Sequence, residues 1–165
     1  MGLFDLFKKE KKTDQKGFEF EVDLKKHLVD NFYIIRLPVK WIPYESDRFR
    51  AKTDDGTLQM SIANYANQNK TEPKINSSFF KDLKLELYDK FVTEGEYEPY
   101  EDLKITDNFI TKSFKVDHET QYYYTTAKIV NGQLVITDII IREIGPYNKK
   151  MQPLLQIIGK TIEVA

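Results

Sequence analysis

The chain has 165 residues, a formal net charge of −1 at pH 7 and no cysteine. This length predicts one domain, and a content of 41% hydrophobic residues supplies a core without help from metals. The near-neutral charge argues against nucleic acid as a partner, the missing cysteine excludes thiol chemistry, and no apolar run approaches the ~18 residues of a membrane span.

The first 16 residues are predicted to form an amphipathic segment and a linker, and residues 17–165 a single domain. Apolar side chains at helical spacing precede a run of lysines, which is typical of a short amphipathic helix that docks on its own domain, on a partner or weakly on a membrane surface. Because the charge follows the apolar stretch, unlike in a signal peptide, we expect a cytoplasmic protein. The residues of this predicted contact are Leu3, Phe4, Phe7, Lys8 and Lys9.

Residues 13–30 are polar and are predicted to begin with a linker. The segment from Phe32 to Leu37 is rich in β-branched and aromatic side chains, which predicts a strand, and Pro38 ends it because proline lacks an amide donor. Trp41, the only tryptophan, is expected to fill the end of the core where the chain turns. A tryptophan that stacks on a ligand is the alternative.

A hairpin is predicted next, with an Asp-Gly turn at residues 55–56. Its register pairs Phe49 with Ile62 on a buried face. The opposite face carries three alternating bases, which either grip an acidic partner surface or phosphates or simply keep the hairpin soluble and guard an edge. These bases are Arg48, Arg50 and Lys52.

The pattern then changes to helical periodicity over residues 76–91, with Ser77 or Asn76 as the N-cap and Gly95 at the end. An acidic loop over residues 94–102 follows, with five acids and no base. Tyrosines among acids, stiffened by a proline, are common on protein-binding surfaces. The predicted partner-binding residues of this loop are Tyr97, Glu98, Tyr100 and Glu101.

Strands are predicted at about residues 103–106 and 109–116, before a long hairpin with a type I′ turn at Asn131–Gly132. Its register gives two largely apolar faces, so other elements must cover both. The chain closes with a predicted helix that begins at about residue 151. Its apolar stripe consists of Met151, Leu154, Leu155, Ile158 and Ile162.

These elements predict an α+β fold with a central antiparallel sheet of about six to seven strands and helices on both faces. Three features resemble the PsbP-like superfamily, which includes PsbP, the Ran-binding nucleotide release factor and bacterial DcrB-like proteins. They are the Leu37-Pro38 to Trp41 segment, the hairpin residues Phe49-Arg50-Ala51 and 58–62, and the closing helix with Ile158 and Ile162. The resemblance covers about residues 32–164 and implies an α/β/α sandwich that docks onto other proteins.

The sequence contains no recognisable catalytic pattern. Neither His27 nor His118 belongs to a spaced histidine pair, no Gly-x-Ser-x-Gly elbow is present, and no glycine-rich loop precedes a helix. We therefore predict neither a metal nor a cofactor.

A non-enzymatic protein-binding module of a bacterial cytoplasmic protein is the first functional hypothesis, with an adaptor, chaperone or immunity-type role and an unknown protein partner. Peripheral attachment to a membrane through the N-terminal segment is the second. An enzyme or small-ligand carrier with a pocket between the sheet and the long helix, lined by Tyr122 and Tyr124, is the third. A monomer and a homodimer both remain open.

Overall fold

A computed structural model describes residues 23–30, 33–44, 46–67 and 73–165. The predicted N-terminal amphipathic segment lies outside the described residues. The strands are β1 (Leu24–Val29), β2 (Tyr33–Pro38), β3 (Ile42–Tyr44), β4 (Phe49–Lys52), β5 (Leu58–Asn67), β6 (Glu98–Pro99), β7 (Lys104–Ile105), β8 (Phe109–Val116), β9 (Glu119–Val130), β10 (Gln133–Ile144) and β11 (Glu163–Val164). The helices are α1 (Ser77–Glu86), α2 (Tyr88–Glu94) and α3 (Met151–Lys160).

The strands form two antiparallel sheets. The large sheet has eight strands in the order β3-β4-β5-β10-β9-β8-β6, with β7 also paired to β8. The small sheet has three strands in the order β1-β2-β11. The predicted α+β class is therefore confirmed in its coarse form, a mainly antiparallel sheet with helices.

The hairpin of β9 and β10 forms the centre of the large sheet. Its turn has positive φ at both central residues, 52° at Asn131 and 75° at Gly132, which is the type I′ geometry that the sequence predicted. The predicted register is also confirmed, with Tyr123 opposite Ile140 and Tyr124 opposite Ile139. Neighbouring residues along these strands therefore point to opposite faces of the sheet.

The inner face of the large sheet, to which Tyr122 and Tyr124 point, is covered by α3 and by the small sheet. From the small sheet, Tyr33, Ile35 and Leu37 enter this inner core. Trp41 belongs to the same core and is 5% exposed, in agreement with its predicted structural role. Its amide donates to the carbonyl of Pro38 at 2.9 Å, where the chain turns from the small sheet toward the large one.

The outer face, to which Tyr123 points, is covered by α1 and α2. The hydroxyl-bearing ring of Tyr88 and the ring of Phe91, both on α2, contact Tyr123 with ring centroids 5.8 and 5.4 Å away. Phe114 of β8 packs edge-on against Tyr123 at 5.5 Å. Aromatic side chains thus supply much of the outer core, and edge-to-face contacts of this kind are favourable beyond their buried area.

The hairpin of β4 and β5 has the predicted register, with Phe49 opposite Ile62 and Ala51 opposite Met60. Gly56 has a φ of 70° in its turn, a conformation that glycine adopts without strain.

One predicted assignment near the beginning of the domain is wrong, one strand there was not predicted, and the predicted linker at the start of residues 13–30 lies outside the described residues. The predicted first strand does not join the large sheet, because β2 pairs with β1 and β11 and lies across the inner face. The polar segment predicted to begin with a linker contains β1, whose strand signal is masked by Lys25, Lys26 and His27. The large sheet consequently has eight strands among the described residues instead of six to seven, since β3 and β6 were not recognised in the sequence.

The predicted single helix is divided in two at Leu87, which is both the C-cap of α1 and the N-cap of α2. Asn76 is the N-cap of α1, where its side-chain oxygen accepts from the amide of Phe79 at 3.1 Å. Gly95 ends α2, as predicted for the helical segment. Tyr88, the first residue after the break, packs over the sheet against Phe114 and Tyr123.

Gly159 of α3 provides a test of the inner core. A Cβ at this position would lie 2.4 Å from ring carbons of Tyr124, and that ring is itself stacked on Phe109 at 4.9 Å. Overpacking costs about 1–3 kcal/mol, whereas alanine regains about 1 kcal/mol of helix propensity. Because the contact is so short, we expect Gly159→Ala to lower the free energy of unfolding by about 2 kcal/mol in urea titrations. Lys160→Ala, at the exposed neighbouring position, is the control, and equal stability of the two variants would contradict the close packing.

Candidate functional site

Half of the outer face is left uncovered by the helices among the described residues. The outer core contains residues of β7, β8, β9 and β10 packed against α1 and α2, but none of β3, β4 or β5. The side chains of β3, β4 and β5 that point outward therefore form a separate surface. We call it the open face, and it consists of Ile42, Tyr44, Arg48, Arg50, Lys52, Gln59, Ser61, Ala63 and Tyr65.

Strand register places these residues side by side. Tyr44 lies opposite Arg50, and Arg50 lies opposite Ser61, so the three form one row across the open face. Three large apolar or aromatic side chains are exposed there, Ile42 at 46%, Tyr44 at 36% and Tyr65 at 52%. Ser61 and Ala63 have short, buried side chains on the same face, so the surface is shallow at these two positions.

The three predicted bases lie together on this face, and each has a local contact. Arg50 donates to the Ser46 hydroxyl at 2.8 Å and to the Asp47 carboxylate at 3.4 Å, and Arg48 lies 3.5 Å from the same carboxylate. The Lys52 ammonium lies 5.4 Å from the ring centroid of Tyr44. These contacts are solvent-exposed and contribute little to stability, but they hold the cations along the face.

A buried carboxyl group lies at the border between the open face and the helix-covered half. Asp138 of β10 is opposite Ala63 of β5 and is only 5% exposed. Its carboxylate accepts from the Thr125 hydroxyl at 2.5 Å, and that hydroxyl lies 2.6 Å from the hydroxyl of Tyr88. Tyr88 also reaches the carbonyl of Ile110 at 3.3 Å, so a chain of hydrogen bonds ties α2 to three strands.

Burial changes the acid–base properties of this cluster. It raises the pKa of Asp138 from 3.8 to about 6, and the hydrogen bond from Thr125 opposes the rise. Burial also raises the pKa of Tyr65, the Asp138 charge raises it further, and Arg48 lowers it. Asp138 is thus close enough to Tyr65 for its charge to be felt on the open face.

The open face combines exposed aromatic rings with cations, whereas the hydroxyl of the neighbouring Thr125 is closed to solvent. Thr125 is 0% exposed, so a substrate has no access to its hydroxyl. Exposed aromatic rings beside arginines are characteristic of the energetically important part of protein interfaces. No group of three or more potential metal-ligating side chains occurs in the described ranges.

The acidic loop is partly folded into the domain. The ring of Tyr97 contacts Phe91 and Phe114, with centroids 5.3 and 5.8 Å away, so Tyr97 is a half-buried part of the outer core. Tyr100 is half-buried too, with its ring 4.8 Å from that of Tyr147. Glu98 and Glu101 are exposed, and a role for them in binding stays a prediction.

Tyr147 belongs to a hydrogen-bonded cluster with Asp102 and Ser113 that was not predicted from the sequence. Its hydroxyl donates to the Asp102 carboxylate at 3.2 Å, and the other oxygen of that carboxylate accepts from the amide of Ser113 at 2.9 Å. Burial, followed by the Asp102 charge, raises the pKa of Tyr147 to about 12. These residues are 45 and 11 positions apart in the chain, so no local pattern indicates their contact. This cluster holds the acidic loop against β8.

The space between the sheet and α3 is filled by protein side chains. Tyr122 and Tyr124 are 0% and 3% exposed, and Tyr124 packs against Gly159. A ligand pocket at this place stays a hypothesis from the sequence. His27, on β1, lies against Phe49 at a ring distance of 6.0 Å, and burial followed by Lys25 lowers its pKa; His118 is exposed.

The large sheet and its helices define an α+β protein built on a mainly antiparallel sheet. The chain is similar to a solved crystal structure from Bacteroides thetaiotaomicron VPI-5482, with a TM-score of 0.50 and 14% sequence identity. The match covers 86% of this chain and 48% of the other, so the chain spans about half the length of that structure. At this identity the likeness concerns the fold. No protein-family model matches the chain, and neither does any curated protein.

No described helix is long and apolar enough to cross a membrane.

The buried carboxyl of Asp138 predicts a pH-dependent effect of its removal. Since folding raises its pKa from 3.8 to about 6, the protonated form favours the fold, and this contribution is lost as the pH rises through 6. Asp138→Asn keeps an acceptor for Thr125 and removes the buried charge. We expect the variant to be more stable than the wild type at pH 7.5 by about 3 kcal/mol, from roughly two pKa units.

This advantage should shrink as the pH falls from 6 towards 4, which urea titrations at several pH values would show. Asp54→Asn, at an exposed position of the Asp55–Gly56 turn, is the control and should show no comparable pH-dependent gain. A destabilised Asp138→Asn at pH 7.5 would mean that the carboxylate has a partner that stabilises its charge.

Proposed function

We propose that the chain is a non-enzymatic protein-binding module that receives an acidic segment of a protein partner on its open face. The observation that carries this proposal is the presence of Ile42, Tyr44 and Tyr65, all exposed, on the same uncovered face as the three alternating bases. An adaptor, chaperone or immunity-type role in the cytoplasm fits such a module.

The apolar part of the open face supplies affinity. Full burial of a large apolar side chain contributes about 1.5–3 kcal/mol, and the exposed fractions of Ile42, Tyr44 and Tyr65 leave much of that contribution unused in the isolated chain. Tyrosine and arginine are also the residues that most often dominate binding energy. The short side chains of Ser61 and Ala63 let an extended segment approach the sheet closely.

The charged part supplies orientation and selectivity. Arg48 and Arg50 both contact the carboxylate of Asp47, and Lys52 lies over the ring of Tyr44. Three positive charges thus face one negative charge, so the row retains positive charge. A partner segment with alternating acidic residues would pair with these bases. Electrostatic complementarity of this type accelerates association and disfavours partners of like charge, and it weakens as salt is added.

The layered PsbP-like arrangement is part of the same proposal. The packing of α3 with the small sheet on the inner face, and of α1 with α2 on the outer face, supports a sandwich with helices on both sides. In this arrangement the incomplete outer layer provides the docking surface.

The binding test uses a defined acidic probe, the nonapeptide EGEYEPYED, labelled and titrated with the full chain by fluorescence anisotropy. We expect binding that weakens as NaCl rises from 50 to 200 mM. The variant Arg48→Glu, Arg50→Glu, Lys52→Glu should lose about tenfold in affinity, because three exposed charges at about 0.2–1 kcal/mol each sum to roughly 1–3 kcal/mol. Tyr65→Ala should weaken binding several-fold through lost apolar contact.

Two controls separate the open face from general attraction. The variant Lys26→Glu, Lys160→Glu changes exposed bases on β1 and at the end of α3, and it should bind the peptide within twofold of the wild type. A peptide with every Glu and Asp replaced by Gln or Asn should bind poorly. Equal binding of the acidic peptide to wild type and to the triple variant would refute the proposed surface.

A further inference from the structure

The large sheet carries opposite charges at its two ends. The bases of the open face lie on β4 and just before it, near one edge, whereas β6 and the acidic segment 94–102 lie at the other edge. We propose that the acidic segment of one copy of the chain docks on the open face of a second copy. This inference rests on the proposed function, for which it names the partner.

The contact must be intermolecular. Five strand-to-strand steps separate β4 from β6 in the order β4-β5-β10-β9-β8-β6. At ~4.8 Å per step, the two surfaces lie roughly 24 Å apart across the sheet. The acidic segment is fixed at its own edge, because Tyr97 is inserted in the outer core and Tyr100 packs on Tyr147. It therefore cannot fold back onto the open face of its own chain.

The packing of Tyr97 decides which way the acids point. Because Tyr97 faces the outer core, its neighbours Glu96 and Glu98 are directed away from that core, and both are exposed. Glu98 begins the strand β6, and Glu96 lies in the bend just before it, so one short segment carries both exposed carboxylates. The bases of the open face likewise come from one short segment, since Arg50 and Lys52 are two residues apart on β4.

The carboxylate of Glu98 remains available for a partner despite one local contact. The ammonium of Lys115 lies 3.9 Å from the carboxylate of Glu98, and their side chains are 55% and 77% exposed. An exposed pair at this distance contributes little, so a second copy can replace it without a large loss. Glu96 and Glu101 add two further exposed charges on the same segment.

A single contact between two different surfaces leaves one open face and one acidic segment free in the dimer, unless a reciprocal second contact closes the pair with two-fold symmetry. Association can then continue to longer chains or close into a ring. The contacting surfaces are small, which predicts a weak, salt-sensitive association in the micromolar to millimolar range.

Sedimentation velocity of the full chain over a range of concentrations tests the inference. The base-neutralised variant carries Arg48→Gln, Arg50→Gln and Lys52→Gln, and the acid-neutralised variant carries Glu96→Gln, Glu98→Gln and Glu101→Gln. We expect the wild type to show a concentration-dependent rise in sedimentation coefficient at 50 mM NaCl, reversed at 500 mM. Each neutralised variant should remain a monomer by itself, with an unchanged circular dichroism spectrum.

The equimolar mixture of the two variants distinguishes this contact from any other. The base-neutralised variant keeps its acidic segment, and the acid-neutralised variant keeps its open face. Only one contact can form between them, so the mixture should form dimers and nothing larger. The variant Lys26→Gln, Lys160→Gln, the matched control, should associate like the wild type.

A wild type that stays monomeric up to about 1 mM, the upper end of the expected range, would overturn the inference. Association of both neutralised variants, or a mixture that stays monomeric, would also overturn it. The nonapeptide titration keeps these outcomes separate from the proposed function. If the free peptide binds and the whole chain does not self-associate, the open face is a binding site for an acidic segment of another protein.

Discussion

The fold depends on one constraint, the need of the β9–β10 hairpin for cover on both faces. Each strand has twelve residues, and the Asn131–Gly132 turn fixes their register. Tyrosines alternate between the faces, with Tyr122 and Tyr124 on one and Tyr123 on the other. A sheet that is apolar on both faces cannot remain in contact with water, so the remaining elements are arranged around it as two layers.

The two layers differ in extent, and this difference creates the surface of interest. On the inner face, α3 and the three-stranded sheet together produce a continuous core. On the outer face, α1 and α2 have ten and seven residues and span about 15 and 10 Å. Helices of that length cover only part of an eight-stranded sheet. The uncovered strands compensate with charged and small residues, and Tyr65 remains 52% exposed among them.

Asp138 lies where the covered and open halves meet. Its burial disfavours the charged form, and a neutral residue of the same size would fit the hydrogen bond to Thr125 equally well. Natural chains tend to depart from the most stable choice at functional positions. Asp138 lies next to Tyr65 on the same face of the sheet, since it is opposite Ala63 and Tyr65 is two residues further along β5.

The sequence by itself determined the local structure. It predicted both hairpin registers, a helix N-cap at Ser77 or Asn76, and the burial of Trp41, because turn chemistry, capping and side-chain alternation act over a few residues. Only the tertiary structure decided that β2 leaves the large sheet, that Tyr97 turns inward and that Asp138 is buried. These outcomes depend on residues far apart in the chain, such as the 37 positions between Tyr88 and Thr125. No local pattern encodes which strand a helix covers, so the open face exists only once the layers have packed.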